Sequence, residues 1–138
     1  MTIFYCVECW REMPPEATTC PACGADAERL SSERSYVQKL IAALKHPEPE
    51  TPVRAAWLLG QLRATEAVPV LMRVVQESPD PYLVEAAVEA LGQIGDPTCR
   101  ATLAWAACEG AVRVRRAAAE ALRRLSDVIK EATESGGM

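Results

Sequence analysis

Apolar residues recur with a helical period from about residue 35 to the end of the chain. Alanines and leucines fall three or four positions apart with charged residues between them, which is the pattern of amphipathic helices. The segment S-Y-V-Q-K-L-I-A-A-L at 35–44 predicts one such helix, and the proline-rich run 46–52 closes it. Because aromatic residues make up only 5% of the chain while alanine and leucine abound, helix is favoured over sheet.

This helical pattern repeats. L-G-Q-L at 59–62 returns as L-G-Q-I at 91–94, and Leu122 and Leu125 follow after a further 31 positions. A period in the low thirties, made of two short helices, predicts an α-solenoid. The second helices of the repeats are expected at about 32–45, 66–77 and 97–109, and a final first helix from about 112.

The residues of the repeat also resemble a known family. V-R-R-A-A-A-E-A-L at 114–122, with A-L-G-Q-I-G-D-P at 90–97, is similar to HEAT repeats, most of all to the short PBS-lyase type. The resemblance covers about residues 35–125 and implies an all-α solenoid whose second helices line the concave face. Within it, G-D-P predicts a helix end followed by a new start. T-P-V-R at 51–54 departs from the pattern, so we expect an irregular helix start there.

A different pattern occupies the N-terminus, where Cys6, Cys9, Cys20 and Cys23 form two C-x-x-C pairs ten residues apart. Each pair can place two thiolates on one turn, and a hairpin between them brings four sulfurs together. This predicts one structural Zn²⁺ with these four cysteines as ligands and no open position for catalysis. Two local disulfides are the main alternative, and a thioredoxin-like redox pair would need a βαβ unit that the pattern lacks.

The first 30 residues are too few to bury a core, so a metal would supply their folding energy. A strand over Thr2–Tyr5 and a turn over Met13–Glu16 are expected. The run C-V-E-C-W-R-E-M-P-P-E-A-T-T-C-P-A-C-G resembles the short zinc ribbons found at the N-termini of many prokaryotic proteins. It departs from them at Trp10, where the family usually has glycine.

The expected organisation is therefore a zinc ribbon over 1–30, a HEAT-repeat α-solenoid over 31–133 and a disordered tail over 134–138. The N-terminus has neither a basic leader nor a long apolar run, which argues against a secretory signal. No segment approaches the roughly 18 apolar residues of a membrane span. We therefore expect no membrane contact and a cytoplasmic location.

The distribution of charge bears on nucleic acid as a partner. The chain has a net charge of −4, and its first 30 residues hold two arginines against five carboxylates, which argues against phosphate binding. Residues 112–125 reverse this balance, with five arginines against one glutamate. A nucleic-acid-associated protein using this helix is therefore an alternative function, and a solvated helix face is the simpler interpretation.

No catalytic group is evident in the sequence. His46 is the one histidine, and we interpret it as a loop residue, since one histidine cannot build the His-Glu metal site of the HEAT-like deoxyhypusine hydroxylases. No Ser-His-Asp, Cys-His or phosphate-loop pattern is present. The sequence thus predicts that the protein is not an enzyme, and an accessory role related to that of lyases is a further alternative.

The repeat alignment suggests a partner-binding surface. Trp105 and Cys108 align with Arg73 and Gln76 of the preceding repeat, so all four are expected at the concave surface, where they could bind a partner. Packing beside small alanines is the alternative for Trp105. Trp57 aligns with glutamates, and it is either exposed or covered by the ribbon. The leading hypothesis is a non-enzymatic protein–protein interaction or scaffold module, which is a monomer or weak homo-oligomer.

Overall fold

The computed structural model describes the backbone of residues 4–135 and the side chains up to Glu131. A two-residue antiparallel hairpin precedes a series of helices, so the predicted class, an all-α solenoid with a small N-terminal β-hairpin, is confirmed. The hairpin pairs β1 (Phe4–Tyr5) with β2 (Glu12–Met13). The helices are α1 (Ala27–Glu33), α2 (Tyr36–Ala43), α3 (Glu50–Gln61), α4 (Val68–Glu77), α5 (Pro81–Ile94), α6 (Arg100–Glu109) and α7 (Val112–Ser135).

The solenoid has two layers of helices. The first helices of the repeats, α3, α5 and α7, pack side by side, while α2, α4 and α6 pack on α3, α5 and α7 respectively. The glycines of the L-G-Q motif allow the close contacts of the first layer. A Cβ added to Gly92 of α5 would lie 2.8 Å from the Cβ of Ala121 on α7, and one added to Gly60 would lie 2.8 Å from the Cα of Ala90.

The core is one continuous cluster that runs from α2 to α7. Its largest fully buried side chains are leucines that recur once or twice in each repeat, which is why the leucine spacing of the sequence predicted the layers. They are Leu59, Leu71, Leu91, Leu103 and Leu125.

Local capping sets several helix ends. Gly95 ends α5 in the left-handed conformation with φ of 74°, and Asp96 accepts a hydrogen bond from the Thr98 N–H, as the G-D-P motif predicted. A short 3₁₀ turn, Pro97–Cys99, then leads into α6. The helices α3, α4 and α6 all begin without a side-chain cap, so the irregular start expected for α3 stays a prediction.

The first expected helix, 32–45, differs from the structure. It is divided, because the hydroxyl of Ser35 accepts from the Gln38 N–H while the Gln38 side chain accepts from the Ser35 N–H. This capping box starts a new helix and turns the chain after α1. The domain boundary expected between residues 30 and 31 lies inside α1.

At the C-terminus, α7 continues to Ser135. The first two residues of the segment expected to be a disordered tail, 134–138, are therefore helical, and residues 136–138 lie outside the described residues. Ile129 packs against the core at this end of the solenoid, whereas Val128 is 45% exposed. Of the strand expected over Thr2–Tyr5, residues 2 and 3 also lie outside the described part of the chain.

Candidate metal centre and partner-binding surfaces

The two C-x-x-C pairs form nearly identical turns. In the first, the Glu8 N–H donates to the Cys6 Sγ at 3.4 Å. In the second, the Ala22 N–H donates to the Cys20 Sγ at the same distance. Such amide donors stabilise thiolates, so each turn is built to hold a negatively charged sulfur.

The residue after each pair closes the turn in the left-handed region. Trp10 has φ of 60° and donates its N–H to the Cys6 carbonyl at 2.8 Å. Gly24 has φ of 78° and donates to the Cys20 carbonyl at 2.9 Å. A bulky residue adopts this conformation at a cost in free energy that glycine does not pay. Trp10 therefore replaces the expected glycine at a position where the backbone geometry itself favours glycine.

The four sulfur atoms lie together as the spacing of the cysteines predicts. The Sγ atoms of Cys6 and Cys23 are 3.6 Å apart, those of Cys9 and Cys20 are 3.7 Å apart, and all four lie within 4.8 Å of one another. A tetrahedral site with metal–sulfur bonds of about 2.3 Å has sulfur–sulfur edges of about 3.8 Å. The cluster can therefore hold a metal ion. In the described part of the chain, no other group of three or more His, Cys, Asp or Glu side chains is arranged to do so.

The thiols of the cluster differ in acidity. Hydrogen bonding from the Cys23 backbone N–H lowers the pKa of Cys20 to about 6. The Ala25 N–H also lowers the pKa of Cys23, but burial and hydrogen bonds with the other sulfurs outweigh it and raise that pKa to about 12. Negative sulfurs this close repel one another, and a divalent cation among them would compensate that charge.

The hairpin module packs on the solenoid through contacts between aromatic rings and through hydrogen bonds from one arginine. His46, in the loop between α2 and α3, contacts the Trp10 ring at a centroid distance of 4.9 Å and the Tyr5 ring at 5.1 Å. On the other side, Arg34 donates to the Glu8 carboxylate at 2.6 Å and to the Val7 carbonyl at 3.3 Å. His46, interpreted from sequence as an ordinary loop residue, thus joins the two parts of the protein.

A groove of about 810 Å³, which we call the junction groove, opens where the hairpin meets the second-helix layer. Val7 and Trp10 form the wall that the hairpin contributes, and Ile41 belongs to the wall that α2 contributes. Arg73 and Val74 of α4 lie on the opposite side. The hairpin that carries the cysteine cluster is therefore part of a surface groove, as well as packing on the solenoid.

The four residues expected to form the partner-binding surface are all exposed, with Trp105 at 47%. Gln76 of α4 donates to the Thr102 hydroxyl of α6 at 3.4 Å, one turn before Trp105. Arg73, one turn earlier on α4, lines the junction groove. The residues of this set that lie on α6 itself are Trp105 and Cys108.

The structure also decides the alternatives left open for other side chains. Trp57 is 52% exposed, so the interpretation that the ribbon covers it is wrong. Cys99 is buried, and its thiol donates to the Asp96 carbonyl at 2.9 Å. Burial raises the pKa of the Cys99 thiol. Cys108, by contrast, is exposed.

The arginines of α7 are largely engaged within the chain. Arg113 pairs with Glu85 at 2.9 Å, while Arg123 and Arg124 both pair with Glu120. The remaining two, at positions 115 and 116, are exposed. Intramolecular pairing therefore engages three of the five arginines of this helix, two of them with the same glutamate.

Comparison with known proteins identifies the class of fold. The model of the HEAT-repeat family matches residues 37–123, which is more than half of the chain. The chain therefore belongs to the HEAT-repeat family.

Individual relatives share parts of this repeat region. The chain is 43% identical over 71 residues to the uncharacterized phycocyanin operon protein Y of Pseudanabaena tenuis (strain PCC 7409), a segment covering 48% of this chain and 16% of that protein. It is 35% identical over 96 residues to the deoxyhypusine hydroxylase of Gallus gallus, covering 69% and 30%. The corresponding enzyme of Rattus norvegicus is 36% identical over 85 residues, covering 61% and 26%. The chain thus spans less than a third of the length of each relative.

None of the helices in the described residues combines the length and apolarity needed to cross a membrane.

Proposed function

We propose that this protein is a non-enzymatic protein-interaction module in which a structural zinc ion, held by Cys6, Cys9, Cys20 and Cys23, fixes the N-terminal hairpin against a short HEAT solenoid. The observation that carries the proposal is the exposed Trp105 on α6 of the second-helix layer. Large exposed aromatics are enriched where proteins bind one another. The second-helix layer, from the junction groove to Trp105 and Cys108, is the proposed binding surface.

Zinc is the metal that the donor set favours. Four thiolates at tetrahedral spacing suit Zn²⁺ in a closed structural site, since no ligand position stays open for water or substrate. Ligation of zinc requires that these cysteines stay reduced, so a reducing compartment such as the cytoplasm is part of the proposal.

The resemblance to enzymes does not change the proposal. The deoxyhypusine hydroxylases share 35–36% identity with this chain over the repeat region. Outside the four cysteines, the described residues bring together no metal-ligand set that could support a metal-dependent reaction. The similarity is therefore attributed to the shared repeats.

A second candidate function follows from the relative named phycocyanin operon protein Y. An accessory protein for a chromoprotein would use the same second-helix surface, with a pigment-bearing polypeptide as its partner. Nucleic acid is the weakest candidate, because Arg115 and Arg116 are the two arginines of α7 without an ion pair in the described structure.

The test is affinity capture with the full-length protein from its native cells, comparing the native chain with Trp105→Ala. Leu62→Ala serves as the matched control, since it removes an apolar side chain of similar exposure at the end of α3, outside both grooves. We expect a partner that Trp105→Ala loses and Leu62→Ala keeps. A visible absorption band in the captured partner would select the chromoprotein candidate. Capture that is the same with native protein and Trp105→Ala would reject the proposed surface.

A further inference from the structure

A second groove, of about 950 Å³, lies on the first-helix layer, and we call it the acidic groove. It has an apolar floor that includes Leu40, Val53 and Ala86, and two aromatic rings stand in it, Trp57 at 52% and Tyr82 at 58% exposure. Two arginines, Arg54 and Arg113, are outnumbered by the carboxylates that line it, which are Glu48, Glu50, Asp80, Glu85 and Glu89.

The protein itself shows how this groove holds a guanidinium group. The guanidinium carbon of Arg113 lies 4.4 Å from the centre of the Tyr82 ring. One of its nitrogens donates to the Glu85 carboxylate at 2.9 Å. An aromatic face and a carboxylate together satisfy both the positive charge and the planar donor array of arginine.

A second aromatic–carboxylate pair lines the same groove. Trp57 of α3 and Glu89 of α5 occupy equivalent positions in successive repeats, and these two helices pack side by side. Among the described residues, no cation lies over the Trp57 ring and none forms an ion pair with Glu89. Burial, together with the negative charge of Glu85 one turn away, raises the pKa of Glu89, and the positive charge of Arg124 offsets this only in part. Two carboxylates placed four residues apart repel each other, an arrangement that binding of a cation relieves.

We propose that the acidic groove binds an arginine side chain of a partner polypeptide, stacked on Trp57 and hydrogen-bonded to Glu89, beside the chain's own Arg113. This site lies on the first-helix layer and goes beyond the interaction surface proposed above.

Charge complementarity identifies the partner's chemistry. The excess of carboxylates repels phosphate groups and attracts cations. The exposed indole face favours a flat guanidinium over an ammonium, because arginine stacks and donates in one plane while lysine is a compact, strongly hydrated charge. Trp57 thus makes arginine the preferred ligand among basic side chains.

Isothermal titration of the full-length protein tests the site with the synthetic peptide Gly-Arg-Gly-Arg-Gly. Matched peptides carry lysine or uncharged citrulline in place of arginine. We expect binding in the order arginine, lysine, citrulline, with Trp57→Ala and Glu89→Gln each weakening arginine-peptide binding about tenfold. Trp57→Phe should retain more affinity than Trp57→Ala, since a ring remains.

Control variants separate this site from general attraction to an acidic protein. Glu109→Gln removes an exposed carboxylate of α6, outside the groove, and Tyr36→Ala removes an exposed ring of α2. Both should bind the arginine peptide like the native chain. Equal binding of the lysine and arginine peptides, equal weakening by Glu109→Gln and Glu89→Gln, or no binding at millimolar peptide would each overturn the proposal. These outcomes are independent of whether Trp105→Ala loses a captured partner.

Discussion

Replacing Gly92 by alanine probes the packing on which the solenoid depends. The added methyl would lie 2.8 Å from the Cβ and 3.0 Å from the Cα of Ala121 on α7. Neither atom can rotate away, so α5 and α7 must move apart along a seam of buried side chains. The better helix propensity of alanine stabilises by about 1 kcal/mol, while overpacking a close helix contact costs about 1–3 kcal/mol or more. Because the clash involves backbone, we expect a net loss of about 1–2 kcal/mol.

Urea unfolding followed by far-ultraviolet circular dichroism measures this loss. The midpoint of unfolding should move to a lower urea concentration, while the dependence of the unfolding free energy on urea stays unchanged. Ala121→Gly removes one of the two clashing groups, so the double variant should lose at least about 1 kcal/mol less than the sum of the single losses. Ala119→Gly, at an exposed position of the same helix, controls for the propensity of glycine alone. A Gly92→Ala protein as stable as the native one would refute the close contact of α5 with α7.

Three further predictions concern single side chains. Arg34→Ala removes the hydrogen bonds to Glu8 and Val7, and should release the hairpin to proteolysis while the solenoid keeps its helicity. Asp96→Ala should cost about 1 kcal/mol at pH 7 by removing a helix cap. Hydrogen bonding from Thr98 lowers the pKa of Asp96 in the folded protein. The stability difference between the native chain and Asp96→Ala should therefore be fully present above the unfolded pKa of about 3.9, and it should disappear as the pH falls through the lower folded pKa. Melting curves recorded at several pH values measure this difference. The raised pKa of Glu89 means that its ionisation costs stability as pH rises, so Glu89→Gln should raise the melting temperature at pH 7 but not at pH 3.

The helices of the solenoid were predictable because one repeating rule places them. Leucines such as Leu59 and Leu91 recur at the repeat period and are fully buried, and the Gly95-Asp96-Pro97 signal acts within a few residues of itself. The clustering of the cysteine sulfurs was also predictable, because each C-x-x-C pair forms its turn through hydrogen bonds between residues two positions apart.

Features that depend on how elements meet were not predictable from these patterns. The role of His46 requires that the hairpin fold back onto the loop after α2, and no periodicity encodes that contact. The hydrogen bond from Gln76 of α4 to Thr102 of α6 depends on how these two helices are staggered, which the alignment of repeat positions does not give. Trp57 could be placed only once the path of the hairpin was known, although its alignment with Glu89 signalled an exposed position.

Metal analysis of the purified full-length protein tests the central claim most directly. Elemental measurement should find about one zinc ion per chain, which Cys20→Ser abolishes and Cys108→Ser retains, because Cys108 lies on α6 outside the cluster. Chelation should likewise release the hairpin while the helical signal of the solenoid persists. A protein purified under reducing conditions with no bound metal, or with metal that Cys20→Ser does not remove, would contradict the account.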